Sequence, residues 1–285
     1  MSTSTSTSAA PSAPSASSEA LLALTTTGAA SGAEHTVQLG FLREGDQLAV
    51  VAPADGDSPH PAWYDDLLAH PMVQVELDGE SFEAIAVPVE GARRDALLQR
   101  AAGRAPGHAG QAPPVVVLER AAPPEGAPAQ VANLAEKLLE VHAWLRAQLR
   151  HISAETDAHF AAQAARTGAG DPPPPGLGFQ IRQHCLAFCQ SLEFHHTSED
   201  AHLFPTMAGH HPHLREAFDR LSAEHRTVSR IQNELAALLA DIRTADPRRF
   251  RVELDRMTRE LTAHLDYEEE MLLPPLAEIP WPPVP

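Results

Sequence analysis

The spacing of the hydrophobic residues changes near the middle of this chain, and that change limits the folds open to it. Between residues 21 and 120 apolar and polar side chains tend to alternate, which is typical of strands with one buried face. Beyond residue 131 apolar side chains recur every three or four positions, which is typical of amphipathic helices. The 285 residues are therefore predicted to form two domains of different class, joined by the proline-rich segment 121–130.

The first domain, residues 21–120, has turn residues between short runs of strand-forming residues. Asp78-Gly79 separates VQVEL from FEAIAVPV and is a strong hairpin signal. A second hairpin precedes a helix that begins at Pro61, a further helix covers 91–102, and PVVVLER forms the last strand. Five or six strands with two helices predict an antiparallel α+β or barrel domain.

The second domain, residues 131–279, is predicted to be an all-α four-helix up-down bundle, because four segments each show one apolar stripe. Pro205 and Pro274 follow the second and fourth stripes and are predicted to end those helices. Residues 1–20 are predicted to be a disordered tail because their hydrophobicity is low. They also lack the basic and apolar stretches of a secretion signal, so no such signal is expected. Residues 280–285 form a proline-rich tail.

Polar residues interrupt all four stripes where the helical period requires an apolar side chain. These residues are His142, His195, Glu199, His225, His264 and Glu268. Each glutamate stands four residues after a histidine, so the two project from one helix face. Burying bare imidazoles and carboxylates would cost several kcal/mol each, on the order of a domain's whole stability. Metal binding removes that cost, and these ligands are too many for one tetrahedral zinc but suit two octahedral ions.

The motifs around these positions resemble the hemerythrin-like (HHE cation-binding) family. They are His-x3-Glu leading to Leu-Phe-Pro, Glu-His at 224–225, and His-x3-Glu leading to Leu-Leu-Pro. The resemblance implies two non-haem iron ions, held by the six residues, that bind oxygen, nitric oxide or peroxide or report on iron. Ser229 stands where oxygen carriers have a further histidine, and the fourth helix has glutamate where carriers use aspartate, with Glu269 also available. An open coordination position is therefore expected, which favours sensing or redox chemistry over oxygen carriage; a zinc or structural metal bundle is a third alternative.

The remaining histidines of the bundle are predicted to lie outside the main set of ligands, with His184 as a possible exception. Five of them crowd the end of the second helix and the loop after it and are predicted to be exposed: His196, His202, His210, His211 and His213. His184 is in phase with the second stripe and is the candidate extra ligand or gate. Cys185 and Cys189 are predicted to be core residues, since their i,i+4 spacing on one helix does not suit a disulfide.

The first domain resembles the deazaflavin-dependent nitroreductase family of split β-barrels, related to flavin reductases. The matching segments are TTTGAASG, GFLR and HPAWYDDL. The resemblance implies a deazaflavin coenzyme, or FMN, that passes hydride to a quinone or nitro compound. By position, the residues expected near the cofactor are Ser31, Gly32, Pro61, Trp63 and Tyr64. For Trp63 and Tyr64, packing in the domain core is the alternative.

This domain departs from its family where basic residues usually hold the cofactor's phosphate and acidic tail. The residues found there are Ala29, Ala30, Glu34, His35, Ala54, Asp55 and Pro59. Residues 20–128 contain 15 acidic and 6 basic residues, a net charge of −9, which would repel a polyanion. Three interpretations stay open: backbone amides hold the cofactor, a less charged flavin binds instead, or the site has lost its cofactor.

The overall charge of −17 argues against nucleic acid or anionic lipid as a partner. No apolar run reaches the roughly 20 residues of a membrane span, and two cysteines that cannot pair fit a cytoplasmic location. Lys137 is the one lysine among 21 basic residues, a bias typical of GC-rich bacterial genomes. A homodimer is expected by analogy with related barrels.

Two functions follow from these observations. The first is a redox enzyme, in which the barrel takes hydride from a deazaflavin or flavin and the di-iron bundle reacts with oxygen, peroxide or nitric oxide. The second is a non-catalytic protein that senses or binds iron or a diatomic gas and carries a degenerate barrel. The sequence identifies metal ligands but no catalytic acid or base.

Overall fold

The computed structural model describes residues 21–53, 58–101, 112–121, 131–165, 177–239 and 247–281. The predicted N-terminal tail, most of the predicted linker (122–130) and residues 282–285 lie outside these ranges. Among the described residues, no helix combines the length and the apolar character that crossing a bilayer requires.

The N-terminal region is a closed barrel of six antiparallel strands, as predicted. The strands are β1 Leu21–Thr27, β2 Glu34–Glu44, β3 Gln47–Val51, β4 Met72–Leu77, β5 Glu80–Val89 and β6 Val115–Arg120, with helices α1 Ala62–Ala69 and α2 Gly91–Ala101. The order around the barrel is β1-β2-β3-β6-β5-β4, closed by pairing of β1 with β4. Asp78 and Gly79 both have positive φ, 55° and 83°, as the predicted two-residue hairpin turn requires.

The C-terminal region is the predicted four-helix bundle, built from α3, α4, α6 and α7. The helices are α3 Leu134–Ala164, α4 Leu177–Ser198, a π-helical turn Glu199–Leu203, α5 Phe204–His210, a 3₁₀ turn Pro212–Leu214, α6 Arg215–Leu239 and α7 Pro247–Leu276. Their apolar stripes meet in one core that includes Leu145, Phe188, Ile231, Phe250 and Met257.

The prediction that Pro205 and Pro274 end their helices is wrong. The chain leaves α4 through the π-helical turn and continues as α5, with Pro205 in the first turn, where its missing N–H removes no helical hydrogen bond. Pro274 and Pro275 both lie inside α7, which continues to Leu276. Each of them lacks the N–H of one helical hydrogen bond, and both losses fall in the last turn of the helix.

Helix α4 attaches the bundle to the barrel through three polar side chains that reach the C-terminal end of α1. The last carbonyls of a helix lack partners within it. The Gln183 amide donates hydrogen bonds to the Leu67 carbonyl, at 2.9 Å, and to the Ala86 carbonyl of β5, at 3.0 Å. The Gln190 amide donates to the Ala69 carbonyl at 2.8 Å, and Arg182 donates to the Leu68 carbonyl at 3.0 Å. One face of α4 therefore faces the barrel while another lines the bundle core.

Replacing Gln183 by leucine is expected to weaken this junction. The side chain is fully buried, and the change would leave two buried carbonyls without donors. Each such group costs about 1–3 kcal/mol. Denaturant unfolding should show that loss in the free energy of unfolding, while Glu193→Gln, on an exposed position of α4, should change it by less than about 0.5 kcal/mol. Equal stability of the two variants would contradict the assigned role of Gln183.

Candidate metal centre

The structure brings the six predicted ligand residues together inside one part of the bundle. Each of the four long helices supplies at least one of them, because each stripe turns polar at the same level. His142 and Glu268 are completely buried. His195 is the most open of the set, with 9% of its side chain exposed.

The first half of the cluster contains His142, His195, Glu199 and Glu268, whose potential ligand atoms all lie within 4.8 Å of one another. His142 Nε2 is 3.1 Å from His195 Nε2 and 3.5 Å from Glu268 Oε2. His195 Nδ1 is 3.4 Å from Glu199 Oε1. Separations of this size suit atoms that share one metal ion at about 2.0–2.2 Å from each.

The second half of the cluster contains His225, His264 and a histidine that sequence analysis missed, His196. The prediction that His196 is exposed is wrong: it is 5% exposed, and its ring stacks on that of His225 with centroids 4.0 Å apart. The helical period contains the signal, since position 196 follows Leu192 by four residues and precedes Glu199 by three.

The two glutamates lie between the two halves. Glu199 has Oε1 near His195 and Oε2 at 3.5 Å from His225 Nε2. Glu268 Oε2 is 3.5 Å from His264 Nε2 as well as from His142 Nε2. This arrangement is what two bridging carboxylates would need in order to hold two ions side by side.

A second ring of carboxylates surrounds the histidines and fixes their orientation. Glu269 lies 2.9 Å from His142 Nδ1, Glu224 lies 3.0 Å from His264 Nδ1, and Asp200 lies 3.1 Å from His225 Nδ1. A carboxylate at Nδ1 favours the tautomer with its proton there and leaves Nε2 free to bind a metal. Glu269, which the sequence offered as a further ligand, therefore lies behind His142 rather than among the clustered ligand atoms.

The buried polar atoms of this site fit a metal and lack another partner. Both carboxylate oxygens of Glu199 and of Glu268 are buried without a hydrogen bond, as are Nε2 of His196, His225 and His264. Buried polar atoms are nearly always paired, and seven such atoms gathered in one place are what a bound cation would need as ligands. The donor set of imidazoles and carboxylates suits iron and other divalent ions.

The protein environment favours the protonation states that metal binding requires of the histidines. Burial, with a further contribution from His142, lowers the pKa of His195 well below its usual value. Burial and His264 likewise lower the pKa of His225. Burial and the neighbouring Glu268 raise the pKa of Glu199 well above its usual value, which favours its neutral form while no metal is bound. A metal ion binds the deprotonated carboxylate, so its binding would release any proton held there.

The metal centre opens on a cleft of about 1430 Å³ between the barrel and the bundle. His195 and Glu199 line its inner end, and the π-helical turn positions Glu199 there. The barrel contributes residues of β1, β4 and β5 and the predicted cofactor residue Gly32 to the opposite wall. Apolar side chains, among them Trp144 and Phe194, line much of the remainder.

The other predicted cofactor residues do not line this cleft. Trp63 and Tyr64 are buried in the barrel core, which supports the packing interpretation for both. Ser31 is exposed and its hydroxyl accepts a hydrogen bond from the Ala33 amide at 3.2 Å. Pro61 is the residue before α1. Their contact with a cofactor stays a prediction.

The turn that carries Ser31 and Gly32 is held by α1. Asp66, buried on α1, accepts a hydrogen bond from the Ala29 amide at 2.9 Å. A side chain at Gly28 would lie 3.2 Å from the Ala33 carbonyl and would also meet Ser31, so the turn requires glycine there. Of the seven positions noted in the sequence, Ala54 and Asp55 lie outside the described residues, and the others include no lysine or arginine. His35 lies at this turn, with its Nδ1 3.5 Å from Asp66 Oδ2.

The remaining histidine predictions have mixed outcomes. His202, His210 and His213 are exposed as predicted, and His211 is partly exposed. His184 belongs to neither half of the metal centre and lies in a separate cluster with His151 and Glu155. Cys185 and Cys189 are both free thiols, as predicted, and Cys185 is buried in the core.

Two family models match separate parts of the chain. Residues 133–276 match the family model described as Hemerythrin HHE cation binding domain, and residues 7–120 match that described as F420H(2)-dependent quinone reductase. F420H(2)-dependent quinone reductases of Mycobacterium tuberculosis strains H37Rv and CDC 1551 are each 38% identical over 69 residues, which is 24% of this chain and 46% of theirs. The chain therefore spans less than half the length of these curated relatives. The solved structure of an F420-H2 dependent reductase (FDR-A) is 31% identical, covers 35% of this chain and 93% of its own, and has a TM-score of 0.32.

Proposed function

The chain belongs to the hemerythrin HHE cation binding domain family through residues 133–276, and we propose that its bundle holds two non-haem iron ions that exchange electrons with a cofactor on the barrel. Two iron ions in such a centre would together take up the two electrons that a reduced deazaflavin or FMN gives up, and they would offer a coordination position for oxygen, peroxide or nitric oxide. His142 and His195 would hold one ion, and His196, His225 and His264 the other. Glu199 and Glu268 would bridge them.

The observation that carries this proposal is the shared cleft. A reductase-type barrel and a candidate metal centre border one cavity, and the residues of that centre that reach it are His195 and Glu199. Reduced deazaflavin, or reduced FMN, bound against β1 and the turn at Gly32 would face the metal centre across this space. Trp144 and Val141 would present apolar side chains to the space between the two. A quinone or nitro compound in the cleft is the alternative electron acceptor that the family of the barrel suggests.

The proposal is tested with the iron-loaded full chain and reduced coenzyme F420 or reduced FMN, mixed without oxygen. Oxidation of the cofactor is then followed after addition of oxygen, peroxide or nitric oxide. The wild type and Glu270→Gln, a change at an exposed position of α7, should oxidise the cofactor at the same rate. Glu268→Gln, lacking a bridging carboxylate, should be at least roughly tenfold slower. Equal rates in all three proteins would refute coupling between the barrel and the metal centre.

A second candidate function is favoured by the charge of the cleft. Among the described residues that line it, Lys137 is the one lysine or arginine, and it is paired with Glu140 at 2.9 Å. Glu34 and Glu83 add negative charge on the barrel side. A polyanionic coenzyme would be repelled, which supports a non-catalytic protein that senses or binds iron or a diatomic gas. Failure of both F420 and FMN to bind the chain, with iron present in the bundle, would favour this second function.

The homodimer and the cytoplasmic location stay predictions.

A further inference from the structure

A second cluster of metal-ligating side chains lies at the junction of the barrel with the bundle, on the side of α4 that faces β6. It consists of His151 and Glu155 on α3, His184 on α4 and Glu119 on β6. Potential ligand atoms of the first three lie within 4.8 Å of one another. Glu119 Oε2 lies 3.2 Å from His184 Nε2 and brings a carboxylate from the barrel.

Two separations in this cluster are those of ligands around one small cation: Glu119 Oε2 to His184 Nε2, at 3.2 Å, and Glu155 Oε1 to His151 Nε2, at 3.3 Å. The His151 and His184 rings meet edge to face with centroids 4.6 Å apart. Ligands at about 2.0–2.1 Å from a tetrahedral zinc ion are about 3.3 Å from each other. The pair on α3 also repeats the His-x3-Glu spacing of the two pairs in the bundle centre.

The buried ring of His184 has no hydrogen-bond partner, which is independent support for a cation at this cluster. The residue is only 3% exposed, and neither of its ring nitrogens makes a hydrogen bond, although Glu119 Oε2 lies 3.2 Å from Nε2. Glu155 Oε2 is likewise buried without a partner, while its Oε1 accepts a hydrogen bond from Gln180 that orients the carboxylate. A buried imidazole without a partner is costly.

We propose that His151, Glu155, His184 and Glu119 form a tetrahedral site for a divalent cation, with zinc the best match, that ties the barrel to the bundle. Imidazole nitrogens and carboxylate oxygens both bind zinc, and the two carboxylate charges would balance the charge of the ion. His151, with 45% of its side chain exposed, gives the cation a route from solvent. Since ligands come from β6, α3 and α4, the ion would add a metal cross-link to the junction that Gln183, Gln190 and Arg182 form by hydrogen bonds.

The test is a Zn²⁺ titration of the full chain after its bundle has been loaded with iron. Calorimetry measures the affinity for Zn²⁺, and elemental analysis measures the zinc and iron content per chain. Wild type and His210→Ala, which removes an exposed histidine outside both clusters, should bind one further Zn²⁺ per chain. His151→Ala should bind it at least roughly tenfold more weakly and keep its iron. Zn²⁺ binding that is absent in the wild type, or unchanged in His151→Ala, would overturn the proposal.

A second variant tests the contribution of the barrel. Glu119→Gln preserves size and removes a charged ligand, so it should also weaken Zn²⁺ binding. Co²⁺ substituted at this site in the wild type should show the visible absorption of a tetrahedral complex, and these bands should be lost in both variants. Full Zn²⁺ affinity in Glu119→Gln would contradict the cross-link between the domains.

Discussion

Glu268→Gln is expected to release most of the metal from both halves of the bundle centre. The carboxylate of Glu268 is completely buried and lies 3.5 Å from His142 Nε2 and 3.5 Å from His264 Nε2, so it is shared by both halves. A neutral amide has nearly the same shape but cannot bridge two cations as a carboxylate does. Elemental analysis of the purified protein measures the loss directly.

The two following residues on α7 provide matched controls for this prediction. Glu269→Gln changes a residue that contacts His142 from outside the cluster, and it should weaken metal affinity by about 10–100-fold. Glu270→Gln changes an exposed residue and should leave the metal content unchanged. If all three variants kept the wild-type metal content, Glu268 would not be a ligand.

Glu199→Leu is expected to stabilise the metal-free protein and to destabilise the metal-bound protein, each relative to the wild type. In the chelated wild type, both oxygens of Glu199 are buried without hydrogen bonds beside Glu268. Each unsatisfied buried polar group costs about 1–3 kcal/mol, and an apolar side chain of similar volume removes that cost. The chelated variant should therefore be more stable than the chelated wild type by about 1–3 kcal/mol. With metal present, the wild type should be the more stable protein, because metal that binds the folded form stabilises it.

Denaturant unfolding with and without chelator measures both comparisons. Glu193→Leu, an apolar substitution at an exposed position of the same helix, controls for a general effect of hydrophobicity and should change stability by less than about 0.5 kcal/mol. A Glu199→Leu protein that is destabilised equally in both conditions would indicate that Glu199 stabilises the fold for a reason unrelated to metal.

The ligand positions were predictable because they depend on the helical period alone. His142, His225 and His264 each replace an apolar residue of a regular stripe, and an up-down bundle brings stripes at the same level together. His196 follows the same rule but was missed, since its neighbour His195 accounted for that turn of the helix. Both residues lie in the last turn of α4, before the π-helical turn, and each belongs to a different half of the centre.

Features that depend on contacts between the domains could not be predicted from spacing. The meeting of Glu119 with His184 requires the barrel to dock on α4, and no local pattern specifies that docking. The continuation of the chain past Pro205 was missed for a different reason: proline disrupts a helix interior, but it is tolerated in the first turn of a new helix. Whether Trp63 and Tyr64 are buried depends on which face of α1 packs against the sheet, and the spacing of residues does not specify that face.

The central claim is that the bundle holds two iron ions, and the most direct measurement is the iron and zinc content per chain. The protein should be purified without a metal-binding tag, and the wild type compared with the His264→Ala, Glu268→Ala double variant. The account predicts iron close to two per chain in the wild type and loss of that iron in the double variant. Absence of iron, or a metal content that the two substitutions do not change, would contradict it.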